Sequence, residues 1–381
     1  MKSKPAFDSD TRSHAKQLCS EGRYLAARRL CEDARISLSS SDLVAEDRDF
    51  VVLLHARCAN IESALNSSAG SDWEIGAELN GVKTTYHEER DGSISACVIG
   101  QNDDLSNFDF FCVFSDFERY SSWFPLCEVS KIHQKISLLE NILQVSISTP
   151  FLARELVLKT WAADCLSENN SYIVFASSID ENSGYELPSR IYNRAIMNNL
   201  FILVKILSPS SIQIKLLLNL HMKITLPKWM TFFFINNLIG VCPIVMKNQS
   251  ILLHNNPAGK AAEFIRDQRS FYLSVALPRA RLFCFEQNWN KALHQLTPTC
   301  LELSQKSSAD ENETVNNNYY NKQSMNKSSV ADMNIKIADR VEQAIDISNI
   351  DPSVRVFRAD KRGFLWKEGE FFFIQILCLV G

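Results

Sequence analysis

At 381 residues, 46% of them apolar, the chain is long for one compact domain and rich enough in apolar side chains to bury a sizeable core. A formal charge of -4 and a pI near 6.0 provide no basic face to neutralise phosphates, which argues against a dedicated nucleic-acid binder. The 11 cysteines are scattered without a CxxC pair or a histidine cluster, so they offer no zinc-type spacing and read as reduced thiols of a cytoplasmic protein.

The first residues, MKSKPAFDSDTRSHAKQLC, contain no apolar secretory segment. Residues 11–35 predict a helical hairpin turning near Gly22, and 46–65 predict a further helix. The spacing of Ala15, Leu18, Gly22, Tyr24, Ala27 and Ala34 resembles one tetratricopeptide unit. A lone unit cannot bury its own face, so a packed helical cover is expected. After a short linker at 66–72, residues 81–100 predict a hairpin around Asp91-Gly92, a strong turn signal. Residues 108–120 return to helical spacing, with Phe110, Val113, Phe114, Phe117 and Tyr120 on one side. Trp123, Phe124 and Pro125 follow side by side, too apolar to be left in water.

Strands are predicted at 142–149, 155–163 and 171–179. The clearest alternation is IQIKLLLNLHMKI at 212–224, which reads as a long antiparallel strand with one wet face and Leu217 as its single lapse. His221 falls on that wet face and is expected at the surface. Pro227 then opens an apolar helix to about His254, interrupted or kinked near Gly240 and Pro243. Apolar on nearly every side, it must be covered on most of them. The runs at 231–246 and 371–380 are shorter than the ~20 apolar residues a membrane span wants.

These patterns divide the chain into a helical hairpin at 1–45, a folded domain at 46–255, a helical extension at 256–303, a polar disordered linker at 304–340 and a C-terminal segment at 341–381. An α+β helix-grip fold is expected, with a curved antiparallel sheet gripping the long apolar helix around a cavity and helices N-terminal to it.

DWEIGAELNGVKTTYHEE, FDFFCVFSDFERYSSWFPLCEVSKI, ARELVLKTWAAD, YIVFASSID and LPKWMTFFFINNLIG together resemble START (StAR-related lipid-transfer) domains, in the family's order and over roughly 50–255. The resemblance implies one lipid, a sterol, phospholipid or sphingolipid, held between sheet and closing helix. It further implies that an Ω-loop near 180–190 gates the cavity. Ligand-binding side chains are then expected at Trp123, Phe124, Trp161, Phe175, Trp229, Phe233 and Asn237. Headgroup contacts are expected from Arg154, Glu155, Ser177, Tyr185 and Arg194, with a structural Arg154–Glu155 ion pair as the competing reading.

Two departures stand out: no glycine precedes the proline of the last helix, and Thr160 occupies a position where some members carry a buried basic residue. RADKRGFLWKEGE at 358–370 resembles the first strand of a pleckstrin-homology domain. No GxSxG, HExxH, GxxxxGK[ST] or GxGxxG motif occurs, so catalysis, cofactors and metals are not expected. The expected function is a cytoplasmic lipid carrier, transiently at membranes, touching a lipid ligand and a membrane surface but no nucleic acid. The alternative is a lipid-sensing scaffold that binds a protein partner through its N-terminal helices.

Overall fold

The computed structural model describes residues 9–34, 45–149, 152–256, 259, 262, 265–266 and 268–289, and the strands at 354–357, 364–367 and 370–372. Side chains of those last strands, of Leu79, of Asn237 and of Arg269 lie outside the description. The chain forms two compact units, 1–312 and 313–381. In the second, β10 (Val354–Phe357), β11 (Phe364–Lys367) and β12 (Glu370–Phe372) pair antiparallel.

The first unit begins with α1 (Ser9–Ser20), α2 (Tyr24–Asp33) and α3 (Ala45–Asn66). Then come β1 (Glu74–Leu79), β2 (Val82–Glu88) and β3 (Ile94–Asp103). Between β3 and the next strand lie α4 (Asn107–Ser115), a 3-10 turn (Phe117–Arg119) and α5 (Tyr120–Trp123). Six strands follow: β4 (Cys127–Lys135), β5 (Glu140–Ser148), β6 (Ala153–Cys165), β7 (Ser171–Ser178), β8 (Ile196–Ser208) and β9 (Ser211–His221). The short α6 (Leu166–Asn169) joins β6 to β7. The nine strands form one sheet in the order β1-β2-β3-β9-β8-β7-β6-β5-β4, every neighbouring pair antiparallel.

The predicted closing helix is present and broken where expected. It runs as α7 (Lys228–Phe234), a π-turn (Ile235–Ile239) and α8 (Cys242–Asn255). Two local causes fix the bend. The i→i+5 turn shifts the hydrogen-bond ladder, and Pro243 sits in the first turn of α8, where its missing N–H costs nothing. Gly240 is required by close approach: a Cβ there would lie 2.8 Å from Thr84 Oγ1. Asn102 Nδ2 donates to the Pro243 carbonyl at 3.1 Å, tying the head of α8 to β3.

One face of the sheet packs on this helix and α4, forming the main core with Phe110, Phe114, Leu143, Leu156, Leu216, Phe234 and Met246. The other face is not wet, as the alternation of β9 implied. Its middle is covered by α1–α3, whose Leu18, Leu25, Val51, Leu54, Cys58 and Ile61 pack on Trp161, Ile173, Phe175, Phe201, Leu203 and Leu217. Leu217 breaks the alternation because its outward position is apolar-covered. Gly22 turns the hairpin at φ +79°, and a Cβ there would meet Leu139 Cδ1 at 2.8 Å and the Ala162 carbonyl at 3.2 Å. The approach is close enough for the Gly22 carbonyl to accept from the Asp164 amide at 2.9 Å.

Among the described residues, no helix is long and apolar enough to cross a membrane, and no three His, Cys, Asp or Glu side chains group as metal ligands. The described cysteines are free thiols, eight of the nine buried.

Candidate functional site

The sequence places apolar residues at every second position of β5, β6, β7 and β9, and antiparallel pairing brings them to one face. Leu143, Leu156, Leu158, Ala176, Leu216 and Leu218 thereby wall a chamber closed by Phe234, Leu238, Cys242 and Met246 of the kinked helix and by Tyr120 and Phe124. Its volume is about 190 Å³. Arg154 is the one charged side chain among the described lining residues.

Arg154 is held by the backbone. Its Nε donates to the Met222 carbonyl at 3.0 Å and Nη1 to the Ala153 carbonyl at 2.9 Å. The remaining polar wall groups satisfy themselves locally: Ser130 Oγ donates to the Phe117 carbonyl at 2.5 Å and Thr160 Oγ1 to the Asn141 carbonyl at 3.2 Å. Tyr120 donates to the Phe114 carbonyl at 2.7 Å, and burial raises its phenol well above the ordinary range.

Neighbouring strand residues point to opposite faces, so Glu155 does not pair with Arg154. Its carboxylate, fully buried, accepts from Arg194 Nε at 2.8 Å, the Ile191 amide at 2.8 Å and Gln144 Nε2 at 2.9 Å. Burial pushes the Glu155 pKa up, but these hydrogen bonds prevail and hold it below the usual value. Arg194 also donates to the Pro188 carbonyl, and Gln144 to the Ser189 carbonyl at 3.0 Å. The network therefore anchors the loop between β7 and β8 at 188–194. The ion pair expected between Arg154 and Glu155 is not formed: the two side chains leave opposite faces of the strand, and Glu155 pairs with Arg194 instead.

Of the residues expected to touch ligand, Phe124 and Arg154 line the chamber. Trp123 packs behind Phe124 and against Tyr120, with ring centroids 5.9 and 4.8 Å away, and bridges to the cluster of α4 and α8. Trp161 and Phe175 lie on the outer face, stacked at 4.1 Å under Arg57, whose guanidinium is 4.0 Å from the Trp161 ring. Tyr185 is also outside, accepting from Lys159 Nζ at 2.8 Å, and Ser177 is exposed. Trp229 is 43% exposed at the start of α7, while Phe233 meets Phe234 at 6.2 Å. The side chain of Asn237 is outside the described residues.

Sequence reasoning passed over Tyr120, Leu143 and Met246, although period-2 parity with Arg154 and the helical face of α8 both mark wall positions. It also passed over Asp116, whose Oδ1 is buried without a hydrogen-bond partner among the described residues. Burial raises this carboxyl to about 7 against the nearby Arg119.

No protein-family model and no curated protein matches the sequence. Solved structures do. Human STARD10 is 18% identical with a TM-score of 0.43, the match covering 56% of this chain and 82% of that one. Human StAR-related lipid transfer protein 5 is 14% identical at TM-score 0.44, covering 52% and 95%. The Zhui aromatase/cyclase from Streptomyces sp. R1128 is 10% identical at TM-score 0.31, covering 44% and 98%. The strand pairing and the broken helix of this chain by themselves define a helix grip, with nine antiparallel strands and a kinked closing helix.

Proposed function

We propose that this protein is a non-catalytic lipid carrier that encloses one lipid inside the grip and releases it at a membrane. The observation that supports this reading is the chamber itself, predominantly apolar and carrying one charged side chain, Arg154, among its described lining residues. Each Å² of lipid tail held there rather than in water is worth roughly 25 cal/mol, and one polar group in an apolar wall orients the cargo. At about 190 Å³ the chamber is smaller than the ~300–1,000 Å³ of sites that hold drug-sized ligands, so loading needs the closing helix to move.

Release is assigned to the end of the sheet where β9 leads into α7. Ile224, Trp229 and Phe232 are 41%, 43% and 47% exposed there beside Lys223 and Lys228, an apolar patch with basic neighbours suited to a bilayer surface. Ile191 of the β7–β8 loop, 43% exposed, belongs to the same end. The closing helix and the part of that loop before its anchor, 180–187, are the moving parts in this reading.

Transfer of a fluorescent lipid between donor and acceptor vesicles tests it. Catalytic amounts of the full chain are expected to accelerate transfer, and Trp229→Asp to cut the rate tenfold or more without changing the thermal midpoint. Stoichiometric binding without acceleration would replace the carrier with a lipid sensor.

A further inference from the structure

A second cavity of about 930 Å³ lies at the opposite end of the sheet, where the β4–β5, β6–β7 and β8–β9 turns gather. Its far wall is a segment outside the grip, the continuous helical run made by Arg269–Phe271, the π-turn Tyr272–Ala276 and Leu277–Glu286. That run is docked, not loose. Tyr272 is buried against Phe108 with ring centroids 6.3 Å apart, its hydroxyl lies 3.2 Å from Ser115 Oγ, and Arg279 Nη2 donates to Asp164 Oδ1 at 3.1 Å.

Two observations give the cavity a chemistry. Aromatic side chains stand on both of its sides, Phe111, Phe114 and Tyr172 from the grip and Phe271 and Phe283 from the run. The charged lining is acidic on balance: Glu21, Asp104, Glu118 and Asp164 against Lys135 and Arg279. Aromatic walls with a net-acidic rim favour an uncharged amphiphile and disfavour a carboxylate or phosphate.

We infer that this distal cavity is a second lipid seat, built by the run 269–286 against the end of the sheet, and that it takes a neutral amphiphile. Its volume lies within the ~300–1,000 Å³ of ligand sites, which the inner chamber does not reach. Phe117, Thr160 and Val174 line both spaces and form the partition between them. The inference shares the lipid-binding reading, but it depends on residues that the inner chamber does not use.

The test is binding of dehydroergosterol, a neutral fluorescent sterol, to the full-length protein, with cis-parinaric acid as the carboxylate comparator. Ala280→Phe narrows the distal cavity and Ala176→Phe narrows the inner chamber. Ala280→Phe is expected to weaken dehydroergosterol tenfold or more and Ala176→Phe less than threefold, with parinaric acid binding at least tenfold more weakly than the sterol. The reverse pattern of variants would overturn the second seat while leaving a lipid-binding chamber in place. Tenfold preference for the fatty acid would overturn the neutral ligand class, and no sterol binding at all would overturn the proposal. Should Ala280→Phe fail to fold, a diazirine-bearing sterol cross-linked to the wild-type chain decides by peptide mapping. Adducts within 108–115 and 271–283 support the distal seat, and adducts confined to 216–222 and 234–246 overturn it.

Discussion

Glu155 shows how a single buried charge can organise a loop. Its carboxylate has three donors, two of them from the segment that follows β7, so the loop conformation at 188–194 and the charge stabilise one another. Removing Arg194 strands a fully buried carboxylate; Arg194→Leu is expected to cost about 3–5 kcal/mol in urea denaturation. A loss below 1 kcal/mol would mean that the other donors suffice. Asp116 presents the opposite sign. Its folded pKa, about 7, is above the unfolded value, so the folded chain binds the extra proton and stability falls as pH rises between roughly 4 and 7. Asp116→Asn is expected to raise the thermal midpoint at pH 8 and to make little difference at pH 4. An equal effect at both pH values would place the carboxyl in a solvated site.

At the scale of elements, legibility depended on how many faces are covered. The alternation of β9 is plain because its inner positions Ile212, Ile214, Leu216 and Leu218 are buried and most of its outer ones polar. By contrast β8 escaped prediction. Phe201 and Leu203 lie under the N-terminal helices while Leu200, Ile202 and Val204 face the main core, so both parities are apolar and the period disappears. The same cover explains Trp161 and Phe175. Parity with Arg154 and Thr160 puts Trp161 outward, but two aromatics in a lipid-binding pattern invite assignment to the chamber. In the structure Trp161 stacks on Phe175 and receives Arg57, which also reaches Glu140 at 3.0 Å; Glu140 in turn meets Lys159 at 3.0 Å, the donor to Tyr185. A polar chain thus runs from α3 to the β7–β8 loop over the outer face. Gly22 closes the cover at its turn, and Gly22→Ala, forced to hold a left-handed φ, is expected to cost about 1–3 kcal/mol and to speed amide exchange across 9–33. Unchanged exchange there would show that helix packing alone holds the hairpin.

Across the whole molecule, the sequence alone conveys the helix grip and the kink of its closing helix, because those follow from local periodicity and turn chemistry. It conveys the chamber wall only through parity, and it is silent on the distal cavity, whose walls come from segments some 100 residues apart in sequence. The expected linker at 304–340 lies outside the described residues, and the C-terminal strands pair among themselves. What joins these parts into one function is the proposal that an apolar interior carries cargo. Native mass spectrometry of the full-length protein, purified from a eukaryotic host and followed by lipid extraction, tests that most directly. A lipid of one class bound at near one-to-one occupancy is the predicted result; a protein that emerges empty and takes up no lipid from vesicles would contradict it.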